Sequence, residues 1–174
     1  PKPMSVQSIS RWHEGALHPL EYCDMTGATV VVADSWRVVD GAARAMAGAL
    51  ADAGVGADAV DHINAHGTGT TANDRSETTA LTAVFGDRLG EIPVTATKSL
   101  HGHLIGAAGA VELLACLLAL NEGIIPATAG YLGPDPECAV DLVTGQARQA
   151  DVQVVLSNAF AFGGLNAVLA LRRA

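Results

Sequence analysis

Positive charge is scarce in this chain. Ten lysines and arginines stand against eighteen aspartates and glutamates, a formal net charge of −8 over 174 residues. A nucleic-acid partner is thereby excluded, because phosphate binding needs clustered cations. Cysteine is scarce as well. Cys23, Cys116 and Cys138 are odd in number, scattered and unlike any metal-ligand spacing, which argues against a disulfide framework and for a reduced, cytoplasmic setting. Aromatic residues make up only 4%. No apolar run reads as long enough to span a bilayer, and no signal-peptide pattern is present, so no membrane partner is expected. The first residue is Pro1 rather than Met, which leaves room for an upstream piece.

What the chain does have is apolar content: 49% hydrophobic residues against 16% charged. Disorder is excluded at that balance, and the length suits one domain with a real core. The mean hydropathy of +0.29 is high for a soluble domain. Apolar surface covered by a partner and an alanine-rich core would each raise it.

Residues 1–27 show no clear period and read as an irregular N-terminal arm; residues 28–174 read as the domain. A β-branched run at 28–35 predicts a strand. Residues 41–54 place Ala42, Ala45, Met46, Ala49 and Leu50 on one helical face. A strand over 60–65 runs into His66, a capped helix follows over 73–85, and a short strand over 92–97 ends at Lys98. The stretch 106–122 is apolar on nearly every side and predicts a central, buried helix. Short extended pieces are expected at 125–129 and 140–143. Two strands, 152–158 and 165–171, close the chain as a hairpin that would form an antiparallel edge. Alternating strands and helices predict an α/β domain with a mixed, mostly parallel five-stranded sheet flanked by helices.

The residues able to do chemistry sit in glycine-rich frames. His66 follows an apolar strand and precedes Gly67-Thr68-Gly69-Thr70; α/β folds place ligands where a strand opens into glycine. Lys98 and His103 bracket a second glycine loop just ahead of the long apolar helix. A helix N-terminus disfavours imidazolium, so His103 is expected to stay neutral and donate one hydrogen bond, with Lys98 supplying positive charge. Glu77 lies on the helix after the first loop, where it would reach Lys98 if that helix packs beside the second loop. Phe160-Ala161-Phe162-Gly163-Gly164 joins the last two strands, and its glycines permit amides to point into a pocket. Each frame alone also fits a plain turn. His101, His103 and His66 lack zinc-site spacing, and neither a dinucleotide fingerprint nor a P-loop is present.

Taken in order, NAHGTGT, the D-x-x-E of Asp74–Glu77, TKSLHGHLIGAAGAVE and SNAFAFGGLNAVLAL resemble the C-terminal half of β-ketoacyl-acyl-carrier-protein synthases. That is the elongating and polyketide branch of the thiolase superfamily. The resemblance runs from about Gly27 to the end. It implies a thiolase-like fold, with His66 and His103 as the two histidines that hold the malonyl thioester and its enolate. Lys98 would be the active-site lysine, Glu77 the acid paired with it and Phe162 the gate, with Gly163 and Gly164 beside it. No cofactor is implied, because substrates ride on the phosphopantetheine of an acyl carrier protein. The family's nucleophilic cysteine belongs to its N-terminal half, and none of the three cysteines here has that context. The implied partners are therefore a cysteine-bearing ketosynthase half or chain and an acyl carrier protein. A non-catalytic subunit resembling a chain-length factor, and a stand-alone malonyl-thioester decarboxylase or acyltransferase that needs no cysteine, are the other readings. Ala161 stands where the family has glycine, and the stretch between the first strand and first helix is short for it.

Overall fold

The computed structural model describes residues 8–13, 16–20, 29–34, 38–161 and 164–173. The chain order is β1 (Ser8–His13), β2 (Ala16–Leu20), β3 (Thr29–Asp34), α1 (Val38–Asp52), β4 (His62–Asn64), α2 (Thr71–Phe85), β5 (Pro93–Thr95), α3 (Lys98–His101), α4 (Ala108–Glu122), β6 (Ile124–Ile125), β7 (Asp141–Leu142), β8 (Arg148–Gln149), β9 (Val154–Phe160) and β10 (Leu165–Arg172). The main sheet has the order β2-β1-β3-β10-β9-β4-β5-β7, and β6 pairs with β8 in a separate ribbon. The five expected strands form its centre, β3-β10-β9-β4-β5. Only β10 runs against the other four, which makes this a mixed, mostly parallel sheet.

Two expectations about the sheet are corrected. The closing hairpin exists, with Phe160 opposite Asn166, but it is not an edge. β3 adds to the far side of β10, so the antiparallel strand is internal. Residues 1–27 are not irregular throughout, since β1 and β2 pair antiparallel and β1 continues the sheet beside β3.

Alternation along the central strands divides the core in two. Leu156, Val168 and Ala170 face α1 and α2, meeting Met46, Leu50, Leu81 and Phe85. Val155 and Leu171 face α4, meeting Cys116, Ala119 and Leu120. The sheet is thus the middle layer between two helices and one. Thr70 caps α2, its hydroxyl accepting from the Asn73 amide at 3.4 Å, so the helix starts two residues ahead of the expected Asn73. Because β4, β5 and β9 are parallel, their C-terminal ends open at one edge of the sheet, which is where such folds bind ligands.

The helix α4 departs from the expectation of full burial. Glu112, Cys116, Ala119 and Leu120 are covered, but Leu114 and Leu118 on the other side are 65% and 42% exposed. The segment Ile105–Glu122 is long and apolar enough by length and composition to cross a bilayer, contrary to the expectation that no run is. Glu112 on its buried face, packed under the sheet, marks it instead as a helix apolar on two sides.

Candidate active site

At the C-terminal edge of the sheet the chain leaves β4, and the Ala65 amide still donates to the Thr95 carbonyl at 2.8 Å. His66 follows, then Gly67 with φ 43. A Cβ on Gly67 would lie 2.6 Å from the Ala96 Cβ, so only glycine allows the two strand ends to approach this closely. The loop is clamped from α2. Glu77 accepts from the His66 amide at 2.8 Å and the Gly67 amide at 2.9 Å. Asn158 and Asn73 add side-chain N–H donors at 3.1 and 3.3 Å. Burial raises the Glu77 pKa, and these donors, which suit the ionised form, oppose that shift.

Glu77 therefore does not pair with Lys98, contrary to what the resemblance implied. The partner is Glu112, whose Oε1 forms a salt bridge with the Lys98 ammonium. Both side chains are almost fully buried, at 4% and 0%. A signal for this was in the sequence: Glu112 is the lone acid among AVELLACLLAL, and a carboxylate inside an apolar helix needs a buried cation. Its Oε2 has no hydrogen-bond partner among the described residues.

The two glycine frames bring His66 and His103 together. Their ring centroids are 5.6 Å apart at an interplanar angle of 85°, an edge-to-face contact. The Ile105 amide donates to His103 Nδ1 at 3.2 Å, which leaves the His103 proton on Nε2. Ile105 aims that amide from φ 51, the one positive φ outside glycine among the described residues. A β-branched residue held there is strained. His66 is buried, and its pKa is lowered to about 4 by that burial, then by the nearby Lys98 charge, then by His103. Neutral imidazole is thus its form near pH 7. His62 is likewise lowered to about 4, chiefly by burial, but it faces the Pro93 carbonyl away from the pair.

Phe162 and Gly163 lie outside the described residues. Gly164 is described at φ 82, and its carbonyl accepts from Asn166 at 3.0 Å. Sequence reasoning passed over Phe160 as a core residue of the hairpin, yet its ring lies 5.8 Å from that of His66. A buried polar belt was also missed: Thr97 donates to Asn64 at 2.9 Å, and Asn64 donates to Ser157 at 3.4 Å. Adjoining the site is a cleft of 660 Å³ between α2 and residues 128–142, lined by Thr68, Asp74, Lys98, Tyr131 and Cys138. Gly67, Glu77 and Lys98 border this cleft, whereas neither imidazole does. Cys116 is buried and its thiol is pushed up to about 12 by desolvation. Burial also raises the Cys138 pKa. Neither is poised as a thiolate. Cys23 lies outside the described residues.

The chain has relatives of known family. The sequence profile "Beta-ketoacyl synthase, C-terminal domain" matches residues 29–132. Nodulation protein E of Rhizobium meliloti is 46% identical over 169 residues, covering 90% of this chain and 42% of that protein. A 3-oxoacyl-[acyl-carrier-protein] synthase 2 of Synechocystis is 44% identical over 151 residues, covering 87% and 35%. Among solved structures, the ishigamide ketosynthase/chain length factor superposes with a TM-score of 0.80 at 41% identity, covering 84% of this chain and 37% of that one. A type II polyketide acyl-carrier protein in complex with its ketosynthase gives 0.79 at 30% identity, covering 90% and 39%. The chain spans about a third to two fifths of the length of the curated relatives it matches. With that domain matched over more than half of its residues, the chain belongs to the β-ketoacyl synthase family.

Proposed function

We propose that this chain supplies the decarboxylating side of a β-ketoacyl synthase, and that a cysteine-bearing ketosynthase half or chain completes the site. The edge-to-face pairing of His66 and His103 beside the buried Lys98 carries this reading.

The two imidazoles are suited to holding one oxygen. With Nδ1 occupied by the Ile105 amide, His103 keeps its proton on Nε2 and donates it to the thioester oxygen of a malonyl unit. His66, neutral through burial, has one N–H of its own to offer. The bond between the malonyl Cα and its carboxylate then breaks. Carbon dioxide leaves, and the electron pair passes into an enolate whose oxygen gathers the charge that the two N–H groups stabilise. The enolate carbon bonds to the carbonyl carbon of an acyl group held on the partner's cysteine, and that thiolate departs. Neither histidine gains or loses a proton over this sequence. Lys98, fixed by Glu112, lends positive potential beside His66.

The acyl and malonyl groups would arrive on the phosphopantetheine of an acyl carrier protein. The relative solved with its carrier protein supports this. An apolar surface supports the partner: Leu104, Ile105, Leu114 and Leu118 are exposed along and just ahead of α4.

The test is reconstitution with a cysteine-bearing N-terminal ketosynthase half, following carbon dioxide release and condensation. His66→Ala and His103→Ala should each lower turnover by about a hundredfold. Normal turnover with altered product length in the double variant would replace this reading with a non-catalytic subunit that shapes a neighbour's acyl tunnel. Carbon dioxide release by the chain alone would mark a stand-alone decarboxylase.

A further inference from the structure

The two site histidines are held in different ways. A working imidazole is normally oriented through its second nitrogen, by a hydrogen bond that fixes both ring angle and tautomer. His103 has that bond, from the Ile105 amide to Nδ1. His66 does not: its Nδ1 is buried and has no hydrogen-bond partner among the described residues. The backbone of His66 is clamped by Glu77, but a backbone clamp leaves the ring free to turn about its side-chain torsions.

Packing remains as the source of orientation: the His103 ring meets His66 edge-to-face at 5.6 Å, and a second, wholly apolar ring lies against it from β9. Phe160 is the last residue of β9. Its ring centroid lies 5.8 Å from that of His66, tilted by 55°, and its partly buried side chain also packs against the core below α1 and α2. A ring anchored in the core is a fixed wall, whereas a flexible side chain there would not be. Its backbone is fixed as well. Phe160 is opposite Asn166 in the hairpin, and the next amide, Ala161, donates to the Leu165 carbonyl at 2.8 Å. The loop that follows contains Gly163 and Gly164.

We propose that Phe160 is a positioning residue for His66: by packing and by exclusion of water, its ring does for this imidazole what a hydrogen bond on Nδ1 does for His103. The proposal rests on the reading of His66 as a residue that touches the substrate. It goes further by naming what holds that ring, and by linking it to the base of the glycine loop.

The charged and titratable groups facing His66 are Lys98 from α3, His103 after it, and Glu77 from α2 through the His66 amide. The described side chains of β9 near it, Asn158 and Phe160, carry no charge. Replacing Phe160 therefore changes water access and packing without changing the local charge.

The experiment is an imidazole NMR titration on the full chain labelled at histidine, for the wild type, Phe160→Leu and Phe160→Tyr. In Phe160→Leu the His66 midpoint should rise by about one pH unit as water reaches the ring. The His103 resonances should stay in place, and Phe160→Tyr should retain the wild-type midpoint. An unchanged His66 midpoint in Phe160→Leu overturns the proposal, because it would mean that a buried water or another group holds Nδ1. If Phe160→Leu does not fold, the wild type still decides. Nuclear Overhauser contacts between the two rings support the proposal, and their absence overturns it. These readouts do not involve turnover, so they stand or fall separately from the decarboxylation assay. In the reconstituted enzyme, Phe160→Leu should lower kcat by about tenfold with little change in KM, the mark of a misoriented group.

Discussion

Lys98 and Glu112 form the site's buried ion pair, and they show how little a single residue's neighbourhood in sequence says about its partner. They lie fourteen residues apart on different helices. Pairing two ions in an apolar layer brings little net stability, but removing one leaves the other buried and uncompensated. Glu112→Ala should therefore destabilise the fold by about 3–5 kcal/mol. Glu112→Gln keeps a polar acceptor but loses the charge, so it should fall between that variant and the wild type. Chemical denaturation of the three proteins checks the order. Glu77, the acid expected to pair with Lys98, instead orders two backbone amides of the histidine loop. It shapes the loop without pairing with the lysine, both its oxygens being taken by backbone and asparagine N–H donors.

At the scale of the element, α4 carries most of what was ambiguous. Its composition, apolar on every side, was legible in the sequence. Which sides are covered was not. One face packs under β9 and holds Glu112 against Lys98. The other presents Leu114 and Leu118 to solvent. An exposed apolar stripe on a regular helix has the physical character of an association surface, as the proposed partner requires. The double variant Leu114→Glu/Leu118→Glu should keep the thermal unfolding of the wild type while losing its capture by a cysteine-bearing ketosynthase half. Co-purification and native mass read the second effect, and a heat scan reads the first. A hairpin supplies the other element-scale lesson. The turn between β9 and β10 was visible in FAFGG, but sequence offers no rule for whether a third strand will add outside it. β3 does so while α1, which follows it, packs across β3 and β10 beside α2 on the way to β4.

For the molecule as a whole, the buried histidines set a pH dependence. His62 and His66 are both lowered to about 4 from 6.5. The unfolded chain binds protons at these positions between those values and the folded chain does not, so stability falls as pH drops from 6.5 towards 4. The lowered pKa of Asp141, caused mainly by its bond with Arg148, adds a loss in the same sense at lower pH. Glu77 acts oppositely: its raised pKa stabilises the fold at low pH and loses that contribution as pH rises above 4.5. The two imidazoles together should contribute a loss on the order of a few kcal/mol between pH 6.5 and 4, read by urea denaturation across that window. His66→Ala should show a shallower slope over that window. The same low pKa predicts that turnover of the assembled enzyme has no limb from His66 near pH 6.5.

The sequence by itself determined the five central strands, the three long helices between them and the glycine frames that carry His66, Lys98 and His103, because these depend on local period and turn chemistry. It also determined that no cysteine sits in the family's nucleophile frame. Only the tertiary structure decided that β10 is internal, that Glu112 and not Glu77 neutralises Lys98, and that Phe160 lies against His66. Those outcomes depend on which helix faces which strand end, and such contacts join residues 14 to 94 positions apart. A local pattern fixes where a side chain points along its own element. The layers that meet across the sheet fix what it touches.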